Sequence, residues 1–407
     1  MAALAGALPP PRAARHVRFR DPESSEELDD GVALWFPAPH SVTGEDVAEF
    51  HLHGSRAVLA AVVAGLSRRG LRLAEPGEFT RRAFLNDKLD LTQAEAVADL
   101  AAAETEAQRR QALRQLDGHL GGVYRGWGER LLRLVAHLEA AIDFPDEDLP
   151  PEIEAEVAAG IRAMAEEIAA HLADGHRGER LRDGIAVAIL GPPNAGKSSI
   201  LNQLARREAA ITSPIAGTTR DVIEVAIDLA GYPVMLADTA GLRDSADLIE
   251  QEGLRRALKR AEEAELRLFV FDATRPEDAQ GAAAWPGPDT LLVANKIDLA
   301  SGRDAPPLAR ALPVSALTGE GLPKLIAALS SRVAHIYNGT APVLTRARHR
   351  QALETALEGL RRSLAADLPE LRAEDLRLAW RSLGRITGRV DVEDLLDVIF
   401  RDFCLGK

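Results

Sequence analysis

The chain has 407 residues, 46% of them hydrophobic and 27% charged, which is enough for two or three domains with hydrophobic cores. Its formal net charge of −13 argues against broad electrostatic binding to RNA, because tight binding to a phosphate backbone normally needs clustered Lys and Arg. No apolar run approaches about 18 residues, so we predict no membrane span. The single cysteine excludes an intramolecular disulfide and is typical of a reducing, cytoplasmic compartment.

Residues 12–85 contain short alternating apolar runs, such as 32–36, and one helical pattern near 57–66. These patterns predict a small N-terminal α/β domain. His51 and His53 fall on one face of a predicted strand, as the ligands of some metal sites do. No Cys or carboxylate supports them at a short spacing, so we expect a structural pair.

From Leu91 onward the pattern becomes helical. Thr92 and Glu95 have the spacing of a capping box and predict the start of a helix that ends near residue 116. A second helix is expected to stop at Pro145, and a third to span about 153–172. Helical periodicity returns from Arg346 to the end of the chain.

Between these helical parts, residues 191–198 read Gly-Pro-Pro-Asn-Ala-Gly-Lys-Ser, after a strand-like run at 185–190 and before a helical pattern. Strand, glycine-rich loop and helix in this order predict a phosphate-binding loop, although glycines alone would fit an ordinary turn. Lys197 is expected to reach the β and γ phosphates of a nucleotide, and the Ser198 hydroxyl to bind Mg²⁺.

Three further motifs follow in the order typical of guanine nucleotide binding. Residues 238–241 read Asp-Thr-Ala-Gly, 295–298 read Asn-Lys-Ile-Asp, and 315–317 read Ser-Ala-Leu. The carboxylate of Asp298 accepts hydrogen bonds only, so it pairs with the two N–H donors of guanine and repels adenine. Each motif alone is weak, but the series predicts GTP as the nucleotide.

Residues 213–221 contain Thr219, the expected switch residue for Mg²⁺ and the γ-phosphate. Leu242 occupies the position at which Ras-type enzymes carry a glutamine that orients water. Because leucine cannot orient water, hydrolysis needs another water-positioning group and another source of positive charge.

These motifs resemble the MnmE (TrmE) family of tRNA-modification GTPases. The resemblance rests on Pro-Asn-Ala-Gly-Lys-Ser at 193–198, Ala-Gly-Thr-Thr-Arg-Asp at 216–221, Asp-Thr-Ala-Gly-Leu-Arg at 238–243, Phe-Cys-Leu-Gly-Lys at 403–407 and the segments 76–79 and 83–91. It covers the chain from about residue 9 to the end.

The resemblance implies that a potassium ion takes the place of an arginine finger in GTP hydrolysis. Its ligands would be Asn194, Ser213, Ile215 and Thr218, and Glu250 would organise the attacking water; without the resemblance, Glu250 looks like the solvated start of a helix. The residues predicted to contact GTP are Asn194, Ala195, Gly196, Lys197, Ser198, Ser199, Ser213, Pro214, Ile215, Ala216, Gly217, Thr218, Thr219, Asp238, Thr239, Ala240, Gly241, Asn295, Lys296, Asp298, Ser315, Ala316 and Leu317.

The resemblance also implies a tRNA substrate and a flavin-dependent MnmG (GidA) partner. The pair would add a carboxymethylaminomethyl or aminomethyl group to C5 of the wobble uridine, with carbon from 5,10-methylene- or 5-formyl-tetrahydrofolate. The N-terminal domains would form a homodimer and bind the folate through Glu49, Lys88 and Lys407. Cys404 would act in the modification, although a lone thiol is more often simply buried.

The fold implied is α/β plus all-α: a small N-terminal domain of folate-binding type (1–88), and a helical domain (89–182 and 336–407) split by an inserted P-loop, Ras-like GTPase domain (183–335). Family members begin with about thirty further residues that include a strand, and without it a sheet edge would be exposed.

Two alternatives for the function stay open. One is a GTP-dependent switch like the ribosome-assembly GTPases that share Gly-Thr-Thr-Arg-Asp; the other is a form that hydrolyses GTP without modifying tRNA. The helical remainder favours the modification enzyme, because those switches usually add a basic RNA-binding domain.

Overall fold

The computed structural model of the chain describes residues 1–143, 151–174, 176–208, 223–238, 259, 261–300, 309–337, 344–390, 396 and 399–400. The chain forms two compact units. The first contains Met1–Ala101, Arg114–Ala165 and Thr355–Lys407, and the second contains Ala102–Leu113 and Glu166–Glu354. None of the helices in the described ranges is both long enough and apolar enough to cross a membrane.

The first unit begins with the predicted small α/β fold. Its elements are α1 (Ala2–Ala5), β1 (Arg15–Arg20), β2 (Glu27–Phe36), β3 (Val47–His51), α2 (Arg56–Ser67) and α3 (Glu78–Leu85). The strands form an antiparallel sheet with β2 in the centre. Val17 and Phe19 alternate with polar residues along β1 and are buried with Val62 of α2 in one apolar cluster. Alternation therefore places one face of the sheet on the core, as it does in half-buried antiparallel sheets.

The two histidines near β3 each pair with a carboxylate. His51 Nε2 lies 3.2 Å from Glu49 Oε2, and His53 Nδ1 lies 2.9 Å from Asp29 Oδ1. The expectation that no carboxylate lies at a short spacing was wrong, because Glu49 is two residues away on the same face of the strand. Within the described ranges, no group of three or more His, Cys, Asp or Glu could hold a metal ion.

The helical segment begins differently from the prediction. The capping box is formed by Asp90 and Gln93: Gln93 N donates to Asp90 Oδ1 and Asp90 N donates to Gln93 Oε1, each at 3.0 Å. Thr92 and Glu95, the predicted pair, are both buried inside α4 (Leu91–Ala102), Thr92 in its first turn and Glu95 just beyond that turn. The short Asp90 side chain precedes the first helical residue, so it is the one that satisfies the free N–H groups.

The helix predicted to reach residue 116 is two helices, α4 and α5 (Glu106–Leu116). Thr105 and Gln108 form a second reciprocal cap, in which Thr105 N donates to Gln108 Oε1 at 3.1 Å and Gln108 N donates to Thr105 Oγ1 at 3.4 Å. This cap satisfies free backbone N–H groups where a new helix begins.

Five further helices of the described ranges flank the sheet of the second unit in the sequence. They are α6 (His119–Asp143), α7 (Pro151–Leu172), α8 (Arg177–Asp183), α11 (Ala347–Ala365) and α12 (Pro369–Thr387). The stop predicted at Pro145 lies outside the described residues, while the helix predicted at 153–172 is α7. Helices α6 and α12 pack against each other, and Arg377 Nε of α12 donates to Glu139 Oε1 of α6 at 2.7 Å.

The second unit contains a six-stranded sheet in the order β5-β6-β4-β7-β8-β9. Its elements are β4 (Ile185–Leu190), α9 (Lys197–Arg207), β5 (Ile223–Leu229), β6 (Tyr232–Asp238), β7 (Leu266–Asp272), a 3-10 helix (Pro276–Ala284), β8 (Thr290–Asn295), β9 (Leu312–Pro313) and α10 (Leu322–Ile336). All neighbours are parallel except β5 and β6. The nearly continuous apolar sequences of β4 and β7 are typical of parallel strands with both faces covered.

A buried ion-pair network joins α7, α8 and α11 within the second unit. Arg350 Nη2 lies 2.9 Å from Asp174 Oδ1 and 3.0 Å from Glu179 Oε2, and its Nη1 donates to the carbonyl of Leu172 at 2.9 Å. Asp174 Oδ2 also accepts a hydrogen bond from Leu344 N at 3.2 Å. Burial alone would lower the pKa of Arg350, but the hydrogen bonds that it donates to Glu179 and Asp174 raise its pKa above the usual value. The guanidinium is therefore charged and bonded to both carboxylates and to the Leu172 carbonyl.

We expect Arg350→Met to lower the free energy of unfolding by about 3–5 kcal/mol, because it leaves the buried carboxylate of Asp174 without its cation. Urea denaturation followed by circular dichroism measures the change. Arg361→Met is the control, because Arg361 lies on the exposed face of the same helix; its effect should stay within about 0.5 kcal/mol. Equal effects of the two substitutions would contradict a stabilising role for the network.

Candidate functional site

The predicted motifs of the sheet unit meet at one edge of its sheet. The loop 191–196 follows β4, Asp238 ends β6, Asn295 ends β8, and residues 315–317 follow β9. These four strands are parallel, so their carboxyl ends lie at the same edge, where ligands of open α/β sheets bind.

The loop after β4 can be built only with glycine at two positions. Gly191 has φ 135° and Gly196 has φ 91°, both in the region that favours glycine. A Cβ atom on Gly191 would lie 1.9 Å from the carbonyl oxygen of Val270, and one on Gly196 would lie 2.2 Å from Asn295 Nδ2. The loop is therefore pressed against β7 and β8, and its backbone leads directly into the N-terminus of α9, where N–H groups favour an anion.

Lys197, the first residue of α9, lies buried beneath this loop. Its Nζ donates to the carbonyl oxygens of Gly191 and Pro192, each at 2.8 Å. Burial lowers the pKa of Lys197 below its usual range, and the carboxylate of Asp238 partly opposes this shift. Neutral carbonyls accept its hydrogen bonds, so the ammonium remains a source of positive charge for a phosphate.

Ser198 and Asp238 bring two oxygen ligands together beside the loop. Ser198 Oγ donates to Asp238 Oδ2 at 2.5 Å, and Asp238 is buried. A hydroxyl and a carboxylate are hard oxygen donors of the kind that Mg²⁺ prefers. The pair fits a magnesium site next to the phosphate loop.

Asn295 links three parts of the site through one side chain. Its Nδ2 donates to the carbonyl of Ala195 at 2.8 Å, and its Oδ1 accepts from Ala316 N at 3.0 Å. Asn295 is only 2% exposed, so these hydrogen bonds form away from water. The phosphate loop, the end of β8 and the loop after β9 are thereby held in one arrangement.

Lys296 and Asp298 follow in the same motif but have different surroundings. Lys296 Nζ lies 2.7 Å from Asp272 Oδ2, and its φ of 65° is unusual for a lysine. Burial alone would raise the pKa of Asp272, but hydrogen bonds from Lys296 and Thr274 lower it below its usual value. Asp298 lies in an exposed turn, where its carboxylate is open to a ligand.

The loop after β9 closes on itself. Ser315 N donates to the Glu320 carbonyl at 2.9 Å, and Gly319 N donates to the Ser315 carbonyl at 2.8 Å. Ser315 and Ala316 are buried, while Leu317 is 83% exposed. The start of the loop is thus buried and hydrogen-bonded, and its tip faces solvent.

The structure brings together a subset of the predicted site residues: Asn194, Ala195, Gly196, Lys197, Ser198, Ser199, Asp238, Asn295, Lys296, Asp298, Ser315, Ala316 and Leu317. The following lie outside the described residues: Ser213, Pro214, Ile215, Ala216, Gly217, Thr218, Thr219, Thr239, Ala240, Gly241, Glu250, Cys404 and Lys407. Glu49 and Lys88 belong to the first unit.

Two side chains in the site were missed by the sequence prediction. Asp272 is the last residue of the buried strand β7. A carboxylate at the end of an apolar strand is a sequence signal that could have indicated a site residue. Gln203 lies on α9, where Nε2 donates to the carbonyl of Ala316 at 2.8 Å, and no local pattern indicates this contact.

These features define a P-loop GTPase: a phosphate loop with a buried lysine, a hydroxyl–carboxylate pair beside it, and a guanine-type Asn-Lys-x-Asp turn. Comparison with known proteins identifies the family. Residues 91–404 match the model of the MnmE helical domain, and residues 2–88 match the GTP-binding protein TrmE N-terminus. The chain belongs to the MnmE (TrmE) family, and its predicted fold class is confirmed.

Curated relatives match nearly the whole chain. A protein of Rhodospirillum rubrum named tRNA modification GTPase MnmE is 59% identical over 99% of this chain and 92% of its own length. Proteins of the same name from Paramagnetospirillum magneticum and Parvibaculum lavamentivorans are each 59% identical, over 100% and 98% of this chain and 93% and 91% of their own lengths.

We expect Gly196→Ala to lower GDP affinity by at least about tenfold, because the new Cβ would displace Asn295 from hydrogen bonds worth about 1–3 kcal/mol each if left unmade. Isothermal titration with GDP measures the change. Gly287→Ala is a matched control: its φ is also positive, at 123°, but a Cβ there meets nothing within 4 Å. That variant carries backbone strain without the clash, and its GDP affinity should be unchanged. Equal GDP affinities for the two variants would refute the role of Asn295.

Proposed function

We propose that this chain is a potassium-stimulated GTP hydrolase that forms GDP and phosphate. Its cycle supports addition of a carboxymethylaminomethyl or aminomethyl group to C5 of the wobble uridine of certain tRNAs. The observation that carries the proposal is the Asn295 bridge between the phosphate loop and the loop after β9, in a chain whose relatives are named tRNA modification GTPases.

GTP is held by charge and by hydrogen-bond pattern. Lys197 and the N–H groups at the start of α9 would neutralise the β and γ phosphates. Asp298 would accept the N1–H and the 2-amino group of guanine, which adenine cannot offer in that arrangement. The exposed position of Asp298 leaves it free for this contact.

Magnesium would be held by Ser198 and Thr219, with Asp238 contributing through water. When bound, the ion neutralises charge on phosphate oxygens. The hydrogen bond between Ser198 and Asp238 supports this assignment, because it places a hydroxyl beside a carboxylate at the end of the phosphate loop.

Potassium would supply the positive charge that an arginine finger supplies elsewhere. Asn194 would contribute its side-chain oxygen, and Ser213, Ile215 and Thr218 would close over the ion. Asn194 lies in the phosphate loop, is exposed and has a φ of 62°, a conformation that asparagine tolerates. Glu250 would organise the attacking water in place of the glutamine that Leu242 replaces.

Folate would bind to the N-terminal domain through Glu49, Lys88 and Lys407, with 5,10-methylene- or 5-formyl-tetrahydrofolate as the carbon source. The side chain of Glu49 is about half exposed, and Lys88 is exposed with its Nζ 3.1 Å from the Pro39 carbonyl. A carboxylate acceptor fits the amino-pyrimidine edge of a pterin, and an ammonium fits the carboxylates of its glutamate tail. Cys404 would act in the modification rather than in GTP hydrolysis.

The chain would act as a homodimer together with a flavin-dependent partner of the MnmG (GidA) type. Its net charge of −13 supports a division of labour, because an acidic protein gains little from the tRNA backbone. The partner would supply much of the binding affinity for tRNA.

We expect GTP turnover to be at least about tenfold faster in KCl than in NaCl, because a correctly placed cation stabilises the charge of phosphoryl transfer. Phosphate release under saturating GTP measures this ratio. Asn194→Gly should reduce the ratio to about one, since glycine keeps the left-handed conformation but lacks the amide oxygen. Equal turnover of the unsubstituted protein in the two salts would refute the potassium mechanism.

A further inference from the structure

Gln203 connects the helix of the phosphate loop to the loop after β9. It lies on α9, which begins at the phosphate loop, and its Nε2 donates to the carbonyl of Ala316 at 2.8 Å. The two residues are 113 positions apart in the sequence. Gln203 is therefore a long-range brace between the part of the site that meets phosphate and the part proposed to meet the base.

Ala316 is held on both sides by side chains. Asn295 Oδ1 accepts from its N–H, and Gln203 donates to its carbonyl. Arg207, one turn further along α9, also approaches this loop, because a Cβ on Gly319 would lie 2.7 Å from its Nη2. Residues four apart lie on the same face of a helix, so Gln203 and Arg207 approach the same loop together.

The hydrogen bond to Ala316 determines the direction of the next N–H group. The carbonyl of Ala316 and the N–H of Leu317 belong to one planar trans peptide, in which the two groups point in opposite directions. Because Gln203 draws the carbonyl toward α9, the Leu317 N–H points away from α9. The Ala316 N–H is already used by Asn295, whereas Leu317 lies at the exposed start of the loop tip.

We propose that Gln203 is a positioning residue for base recognition, which orients the peptide between Ala316 and Leu317 so that the Leu317 N–H donates to O6 of guanine. This inference rests on the proposed GTP-binding function. Gln203 would thus add a residue of the phosphate-loop helix to the determinants of base specificity. Asp298 would bind the neighbouring N1–H and 2-amino group of the same base edge.

Nucleotide analogues separate the two contacts. In 6-thio-GDP sulfur, a weak acceptor, replaces O6, while the N1–H and the 2-amino group are kept; IDP keeps O6 but lacks the 2-amino group. We expect Gln203→Leu to weaken GDP and IDP binding equally, by about fivefold to twentyfold, and 6-thio-GDP binding much less. The ratio of the 6-thio-GDP to the GDP dissociation constant should therefore fall toward one, while the IDP to GDP ratio is unchanged.

Gln203→Glu is a second variant of nearly the same shape. Its carboxylate cannot donate to the Ala316 carbonyl and is repelled by it, so the loss of GDP affinity should exceed that of Gln203→Leu. Asn202→Leu is the matched control, because Asn202 is exposed on the same helix, and all three dissociation constants should be unchanged. Isothermal titration and a thermal melt of each nucleotide-free variant complete the measurement.

An unchanged 6-thio-GDP to GDP ratio in Gln203→Leu would overturn the inference. Equal weakening of all three nucleotides, together with a lower melting temperature, would also overturn it, because the residue would then be merely structural. Absence of GDP binding by the unsubstituted protein would refute the GTPase proposal itself, and this inference with it.

Discussion

The side-chain amide of Asn295 is the constraint on which the nucleotide site depends. One buried residue satisfies the carbonyl of Ala195 in the phosphate loop and the N–H of Ala316 in the loop after β9. Neither backbone group can be left unpaired without a cost of about 1–3 kcal/mol, so the two loops are held in register. The close approach of Gly196 to Asn295 Nδ2 follows from the same packing. The phosphate loop and the loop after β9 are therefore held together by one side chain.

The sheet is also fastened to the segments that flank it in sequence. Arg350 joins the end of α7, the start of α8 and the first turn of α11 through Asp174 and Glu179. Tyr337, just after α10, donates to the carbonyl of Arg180 at 3.0 Å and stacks on Tyr232, with ring centroids 4.8 Å apart. The compact unit that holds the sheet thus includes Glu166–Glu354 together with Ala102–Leu113.

The features that could be predicted from the sequence are those that depend on neighbouring residues. The phosphate loop and Asn295 belong to motifs with a recognisable local sequence, so the sequence alone assigned both to the binding of one guanine nucleotide. The capping box was misplaced because Asp90 with Gln93 and Thr92 with Glu95 both have the required spacing, and only burial distinguishes them. Gln203 was missed because its partner is distant in sequence. The predicted domain boundaries and the roles of Ser213, Glu250, Cys404 and Lys407 remain predictions.

In the proposed function, guanine nucleotide hydrolysis at this site drives tRNA modification. The most direct test is the nucleotide specificity of wobble-uridine modification, measured by mass spectrometry with tRNA, the flavin-dependent partner, tetrahydrofolate and K⁺. Xanthine carries a carbonyl where guanine carries the 2-amino group, and asparagine matches it with one donor and one acceptor. The unsubstituted protein should modify tRNA with GTP and not with XTP, and Asp298→Asn should reverse this preference. Modification by Asp298→Asn that still requires GTP, or modification by either protein without nucleotide, would show that guanine nucleotide binding at this site does not drive the modification.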